Sequence, residues 1–485
     1  MTEPSSGADM AMTYDVIVIG AGPVGQSVAE RSRAGGLSVA VVEKELVGGE
    51  CSYWACIPSK AMLRPVGALA DAGRVDGARE AITGQVDAAA VLDRRDRFVT
   101  DWDDTGQANW VKSIGAELVR GHGRLNGTRR VAVATPNDEI LLLTARHAVV
   151  ICTGSGAAFP DIPGIAEARP WTNRNATDSR EIPTRLAVVG GGPVGVEMAT
   201  AWNALGSSVT LLAREPGLLP QMEPFAGEMV AKGLEEAGVE VRDSVSLTAL
   251  RRPGGAGPVT LLLDDDSELQ ADEVLMAVGR VPLTGDIGLE SVDMLPGTWL
   301  DVDDMCLVRG VKESWLYAIG DVNHRALLTH QGKYQARIVG SAIVARAGGQ
   351  PVDSSPWGPH VATADTHAVP QVVFSDPEAA AVGLSAEGAA QAGHRIRVVD
   401  VDLGTAVVGA QLFADSYRGR ARMVVDQDSE RLLGVTFVGP GIAEMLHSAT
   451  VAVAGQVPVA RLWHAVPCFP TISEVWLRLL EAYRG

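Results

Sequence analysis

The chain has 485 residues, 46% of them hydrophobic and 21% charged, with a formal net charge of −18. That is room for two or three domains of ordinary globular composition, and so acidic a balance argues against nucleic acid or an anionic membrane surface as partner. Five cysteines are too few for a secreted disulfide scaffold, so a reducing cytoplasm is expected, and no apolar run is long enough to span a bilayer.

Residues 1–13 are polar, with no basic region leading into an apolar core, and are not read as a signal peptide. Residues 14–19 (YDVIVI) form an apolar run suited to a buried parallel strand. It ends in Gly20-Ala21-Gly22-Pro23-Val24-Gly25, and a helix-like stretch follows. Gly20 permits a tight turn, Gly22 lets a pyrophosphate approach the backbone, and Gly25 lets helix and strand pack closely. A second apolar run, 38–42, ends at Glu43, whose carboxylate can accept hydrogen bonds from a ribose. The glycines alone are weak evidence; strand, loop, helix, strand and acid in register make a dinucleotide site.

The stretch from Gly48 to Lys60 places Cys51 and Cys56 five positions apart, just before a helix-like run. Cys56 near a helix start is where free N–H groups and the dipole favour a thiolate, and two nearby thiols can close reversibly into a cystine. The functional reading is a redox-active disulfide fed by a cofactor on the glycine loop. The alternatives are two buried cysteines or half a zinc site. Zinc would need two more ligands at matching spacing, and Cys152, Cys306 and Cys468 are single and scattered, so no metal is expected.

The glycine motif then recurs as an internal repeat. Residues 186–189 (LAVV) run into Gly190-Gly191-Gly192-Pro193-Val194-Gly195, and the next strand, 208–212, ends at Ala213 and Arg214 where the first repeat has Glu43. An acid there would bind the 2′-hydroxyl of NAD and repel a 2′-phosphate. Ala213 with Arg214 removes the repulsion and adds a cation, so NADPH is expected, with NADH the alternative. Arg214 can equally be a solvated charge beside Glu215. Residues 148–154 read as a strand, Pro160, Pro163 and Gly164 as a hinge, and 348–359 as a linker. Beyond about residue 365 the pattern is strand-rich, with helical runs at 442–453 and 473–480.

These motifs resemble the class I pyridine nucleotide-disulfide oxidoreductases, the family of dihydrolipoamide dehydrogenase, glutathione reductase and mercuric reductase. The family's redox motif is GGTCxNxGCxPSK; Cys51, Cys56, Pro58, Ser59 and Lys60 match. Glu50, Tyr53, Trp54 and Ala55 depart from it, and the two aromatics are expected to crowd the cystine loop. The resemblance implies an α/β fold. Two Rossmann-like dinucleotide-binding domains, the second inserted in the first, precede a C-terminal α+β dimerisation domain. The implied segments are 12–157 and 285–355 for FAD, 158–284 for NAD(P) and 365–485 for the homodimer interface.

By the same resemblance FAD falls to Gly20, Gly22, Gly25, Glu43, Gly49, Gly123, Thr153, Gly154, Gly320 and Asp321. Asp321 would bind the ribityl chain; without the family it would be an acid after a strand, often a helix N-cap. NAD(P)H falls to Gly190, Gly192, Gly195, Arg214, Gly279 and Arg280. Cys56 would be the sulfur attacked by reduced flavin and Cys51 the exchange thiol facing substrate. Lys60 and Glu197 stand where relatives pair a lysine and a glutamate near the flavin, although alone they read as a surface lysine and a helix-facing acid.

The resemblance fails at the C-terminal end. Relatives carry His-Pro-Thr-x-Ser-Glu, whose His–Glu pair moves protons for the exchange thiol of the partner subunit. Here the segment ends Cys468-Phe469-Pro470-Thr471-Ile472-Ser473-Glu474. Phe469 replaces the histidine and cannot act as acid or base, help typically worth ~10²–10⁴ in rate. Three readings follow. Disulfide reduction can persist with His464 or a water as proton carrier, His464 being equally a surface histidine. Thiol exchange can have been given up for a quinone acceptor. Or protons are excluded as in 2-ketopropyl coenzyme M oxidoreductase/carboxylase, which has Phe here but replaces the Glu474 counterpart with His. Cys468 reads first as a small buried hydrophobe. A chain ending Tyr483-Arg484-Gly485 lacks the C-terminal cysteine pair of mercuric reductase. The expectation is an enzyme passing electrons to a disulfide or other small acceptor; a cystine that only senses redox state is the non-enzymatic alternative.

Overall fold

The computed structural model describes residues 12–485; the polar N-terminal stretch lies outside them. The chain divides into two compact units. One takes the chain through Tyr53, then Val99–Gly156 and Arg280–Asp365; the other takes Trp54–Phe98, Ala157–Gly279 and Thr366–Gly485.

The first unit is built on a seven-stranded sheet. Met12–Ile19 pairs in parallel with Val39–Glu43 on one side and Ile140–Ile151 on the other, and Leu316–Ala318 adds a further parallel neighbour to Ile140–Ile151. Arg130–Ala134 and His122–Leu125 continue the sheet antiparallel. The parallel strands are apolar almost without interruption because both faces are covered. Val16, Val18, Val39 and Val41 pack to one side with Val339 and Ile343 of the helix Thr329–Ala347. Ile17, Ile19, Ala40 and Val42 pack to the other with Trp315 and Leu316.

In the second unit the internal repeat forms a four-stranded parallel sheet, ordered Glu240–Arg242, Ser208–Leu212, Arg185–Val189, Glu273–Met276. A five-stranded antiparallel sheet follows in the order Pro370–Val373, Glu378–Gly383, Arg431–Gly439, Arg420–Asp426, Ile396–Asp402. Arg431–Gly439 is central and buried from Leu432 almost throughout, whereas Ile396–Asp402 lies at the edge, with exposed residues recurring between buried ones. The helical runs expected near the C-terminus are Leu446–Ala454 and Val475–Arg484. No helix or strand occupies 348–363, the stretch read as a linker.

Candidate functional site

In the first unit the strand Met12–Ile19 delivers Gly20 with φ +103°, and the helix Pro23–Ala34 starts directly from Gly22 without a side-chain cap. A Cβ on Gly20 would stand 2.5 Å from the Cys152 carbonyl oxygen, and one on Gly25 only 1.9 Å from that of Gly20. A Cβ on Gly22 would meet nothing within 4 Å, so its open side faces free space at the positive end of a twelve-residue helix. Gly48 and Gly49 both have positive φ; a Cβ on Gly49 would lie 2.9 Å from the Gly22 Cα, so this second glycine turn rests on the first. Gly123 is packed against Val42 and Ile19.

Glu43, at the end of its strand, accepts the Ala21 N–H at 2.7 Å and the Glu45 N–H at 2.8 Å. At the far end of Ile140–Ile151 the Thr153 hydroxyl is buried without a hydrogen-bond partner. Asp321 accepts from the Ser155 hydroxyl at 2.5 Å, and Arg280 donates to both the hydroxyl and the carbonyl of Ser155 at 2.5 Å. Arg280 and Asp321, assigned to different cofactors by sequence, thus share one serine. Ser155 was missed; its only signal was adjacency to Thr153-Gly154. Gly320 has φ +78°, and Gly332 brings the helix Thr329–Ala347 so close that a Cβ there would lie 3.1 Å from the Gly320 Cα.

In the second unit the repeat reproduces the turn. A Cβ on Gly190 would stand 2.3 Å from the Ala277 carbonyl oxygen and one on Gly195 1.9 Å from that of Gly190, whereas Gly192, which caps the helix Pro193–Ala204, again meets nothing within 4 Å. Ala213 is buried against Gly191. The Arg214 side chain is 79% exposed and pairs with Glu215 at 3.0 Å. Gly279 has φ +143° and its carbonyl takes the Ala158 N–H.

Cys56 opens the eighteen-residue helix Cys56–Gly73, whose N-cap, Ala55, offers no side chain to the free N–H groups. Cys51 lies in the short helix Gly49–Tyr53. Lys60, one turn beyond Cys56 on the same face, bonds Glu197 at 2.7 Å, so two residues singled out in separate motifs meet. The other Glu197 oxygen accepts the Phe374 N–H at 3.2 Å, and the Lys60 ammonium lies 5.1 Å from the centre of the Phe374 ring. Phe374 had no signal beyond lying in an apolar strand. Burial pushes the Cys152 and Cys306 thiols far above their ordinary range, so both are neutral core groups.

Tyr53 does not crowd the cystine loop. It is buried in the first unit, its hydroxyl within 3.3 Å of the Val47 carbonyl. Trp54 is held in the second, its ring 4.1 Å from the Arg174 guanidinium and its carbonyl accepting from Asn173 at 2.9 Å.

At the C-terminal end Phe469 is 70% exposed, and His464 and Cys468 are exposed too, so Cys468 is not the buried hydrophobe expected. Glu474 is buried; one of its oxygens is ion-paired with Arg478, in the first turns of the helix Val475–Arg484 that Glu474 precedes, and the other has no hydrogen-bond partner. Arg478 also reaches the Ala406 carbonyl at 3.1 Å and Glu481 at 2.9 Å, and these carboxylates hold its guanidinium above its ordinary range. The sequence offered Arg478 only as an i,i+4 neighbour of Glu474.

The pattern of the pyridine nucleotide-disulphide oxidoreductase family matches residues 14–349, and that of its dimerisation domain residues 369–479. The chain belongs to this family. It is 30% identical to dihydrolipoyl dehydrogenase of Haloferax volcanii, over 98% of each chain, and 32% identical to dihydrolipoyl dehydrogenase 3 of Pseudomonas aeruginosa, over 96% of this chain and 97% of that one. The structure of the HOCl-induced flavoprotein disulfide reductase RclA of Escherichia coli, in a Cu(II) complex, superposes with a TM-score of 0.81 at 22% identity, covering 97% of this chain and 99% of that one, a likeness of fold. A pyridine nucleotide-disulphide oxidoreductase is an FAD-dependent enzyme that uses NAD(P)H, and the dimerisation domain supports a homodimer. Among the described residues no helix is long and apolar enough to cross a membrane. The first unit fits a flavin dinucleotide: the open side of Gly22, the unpartnered Thr153 hydroxyl and the Glu43 carboxylate are the groups such a ligand would engage.

Proposed function

We propose that the protein oxidises NADPH and passes the electrons, by way of FAD and a Cys51–Cys56 disulfide, to a disulfide or another small electrophile. The observation that carries this reading is the helix Cys56–Gly73, which sets a thiol at its uncapped positive end and, one turn on, a lysine clasped by Glu197 of the second glycine motif. Bound FAD supplies acceptance of the hydride from the nicotinamide. In the first unit Gly20, Gly22, Gly25, Glu43, Gly49, Gly123, Thr153, Gly154, Gly320 and Asp321 would hold it. Gly190, Gly192, Gly195, Arg214, Gly279 and Arg280 would hold the nicotinamide dinucleotide. Lys60, held between carboxylate and aromatic face, steadies negative charge developed beside it. The helix end favours Cys56 as thiolate when the disulfide opens, and Cys51 is the thiol left to attack the acceptor.

The deciding experiment is an anaerobic titration with NADPH, counting hydride equivalents per flavin. Two equivalents, the first leaving the oxidised flavin absorbance in place, are expected. Bleaching by the first equivalent would mean the cystine is idle.

NADPH is chosen because the buried Ala213 leaves no carboxylate at the strand end and Arg214 is free to reach a 2′-phosphate at the expense of an exposed pairing with Glu215. Arg214→Ala is expected to raise KM for NADPH ~10-fold, the worth of a charged hydrogen bond, and to leave KM for NADH unchanged. An equal effect on both would remove the assignment.

A second reading has its own support. With Phe469 bare at the surface and Glu474 already committed to Arg478, that segment offers no acid–base pair. Hydride transfer to a quinone-type acceptor needs none there, and steady-state turnover with quinones and disulfides side by side separates the two.

A further inference from the structure

Behind the loop that carries Asp321 runs a chain of buried polar side chains that the proposed reaction does not use. The Asp365 carboxylate is wholly buried. Its oxygens accept from the side-chain amides of Gln331 at 3.0 Å and Gln335 at 2.8 Å. Gln335, also buried, turns its Oε1 the other way to accept the Gly320 N–H at 2.8 Å and the Asn323 side-chain N–H at 2.9 Å. Asn323 donates to the Ala318 carbonyl at 3.0 Å and accepts the Arg325 N–H at 3.0 Å. One glutamine therefore grips both ends of the turn Gly320–Asn323, and one carboxylate holds the glutamine.

The direction of these bonds is fixed by what each group can do. An ionised carboxylate only accepts, and an amide accepts at one end and donates at the other. With Asp365 ionised, Gln335 must give it the NH2 end, which leaves the oxygen for the two donors of the loop. A proton on Oδ2 of Asp365, the oxygen that Gln335 serves, puts a donor where the glutamine donates. Gln335 then has to turn its oxygen toward residue 365, and its NH2 end meets the Gly320 N–H and the Asn323 amide, donor against donor. An unmade hydrogen bond is costly at such depth.

We propose that Asp365 and Gln335 are positioning residues for Asp321: the ionised Asp365 orients Gln335, Gln335 fixes the Gly320 peptide, and the grip of the loop on flavin follows the proton at residue 365. The proposal rests on the reading of Asp321 as a flavin ligand. The charged and titratable groups facing Asp365 are Arg325, at 3.5 Å and favouring the carboxylate; Asp304, which shares Arg325 at 2.7 Å and disfavours it; and the Cys306 thiol and Tyr334 hydroxyl, both neutral near pH 7. Burial outweighs them and pushes the Asp365 carboxyl up to about 6. Because that lies above the ordinary aspartate value, the contribution of Asp365 to folding is full below about pH 4 and is lost as pH rises through about 6. The hold on flavin runs the opposite way, strengthening over the same rise, so the two effects are separable.

The test is the rate of FAD release from the holoenzyme, followed by flavin fluorescence from about pH 5 to about pH 8, the span that brackets an ionisation near 6. Release from the wild type is expected to quicken ~10-fold on acidification, and Asp365→Asn to lose that pH dependence. Gln335→Glu sets two carboxylates face to face and is expected to release FAD ~10-fold faster near neutral pH. Adding Asp365→Asn restores slow release, since the new amide donates to Glu at 335 and the Glu oxygens accept from Gly320 and Asn323. Absence of rescue, or pH dependence persisting in Asp365→Asn, overturns the proposal. Should Gln335→Glu fail to fold, the Asp365→Asn profile decides alone. Wild-type release from Asp321→Ala would overturn the flavin reading of Asp321, and the positioning role with it.

Discussion

Cys51→Ser is expected to lower turnover with disulfide substrates by ~10³ or more while NADPH oxidation with a quinone stays within a few-fold of wild type. Opening a substrate disulfide requires a sulfur nucleophile that forms a mixed disulfide, from which a second thiol, closing on the first, displaces the remaining substrate sulfur. A serine hydroxyl can do neither at neutral pH. No other cysteine replaces it: Cys56 is left without a second thiol to release it from a mixed disulfide, burial keeps Cys152 and Cys306 neutral, and Cys468 belongs to the exposed C-terminal segment. On the proposed reading hydride uptake rests on the two glycine motifs and on Lys60, which the substitution leaves alone. Rates with a dithiol-forming substrate and with a quinone, measured on one preparation, check the result. Disulfide turnover that survived in Cys51→Ser would dismiss the cystine from the reaction, and loss of both activities would point to misplaced flavin.

The second large effect lies in the repeated turn. Gly195→Ala is expected to destabilise the second unit by roughly 3 kcal/mol, at the top of the range for overpacking, because the new Cβ would stand 1.9 Å from the Gly190 carbonyl oxygen. Backbone at that distance cannot turn aside as a side chain can. Gly192→Ala is the informative companion. Its φ of −81° suits any residue and nothing lies within 4 Å of the added methyl, so the melting temperature should not move. The same methyl occupies the space where a pyrophosphate would approach the helix end, and KM for NADPH should rise ~10²-fold. A thermal scan beside a KM measurement separates the two substitutions. If Gly192→Ala bound NADPH normally, the second loop would not be the nucleotide site.

Most of this was legible where one residue type has one physical reason to be present. The two glycine turns and the strands that feed them could be read from spacing, and the Lys60–Glu197 meeting from the resemblance to the family. The rest depended on which of several available partners a side chain takes. Tyr53 looked like an obstacle beside the cysteines and is a core residue, since its ring fills space against Gly48 and its hydroxyl finds a carbonyl. Ser155 is invisible until two distant segments bring Arg280 and Asp321 to it. Glu474 had Arg478 in plain view four residues on, but an acid inside a motif reads as chemistry before it reads as half of an ion pair.

The two turns also bear on how such a chain can change over generations. A Cβ on Gly25 or Gly195 would stand 1.9 Å from a carbonyl oxygen, and one on Gly20 or Gly190 would stand 2.5 or 2.3 Å from a carbonyl oxygen just past the end of a neighbouring strand. They are castings from one mould, and the mould rejects any side chain at those points in either copy. Drift is closed there and open at the end of the following strand, where one copy has Glu43 bracing its own loop and the other has Ala213 tucked against Gly191. A scaffold that carries the turn twice can thus keep its steric skeleton unaltered in both copies while the strand ends beside it differ.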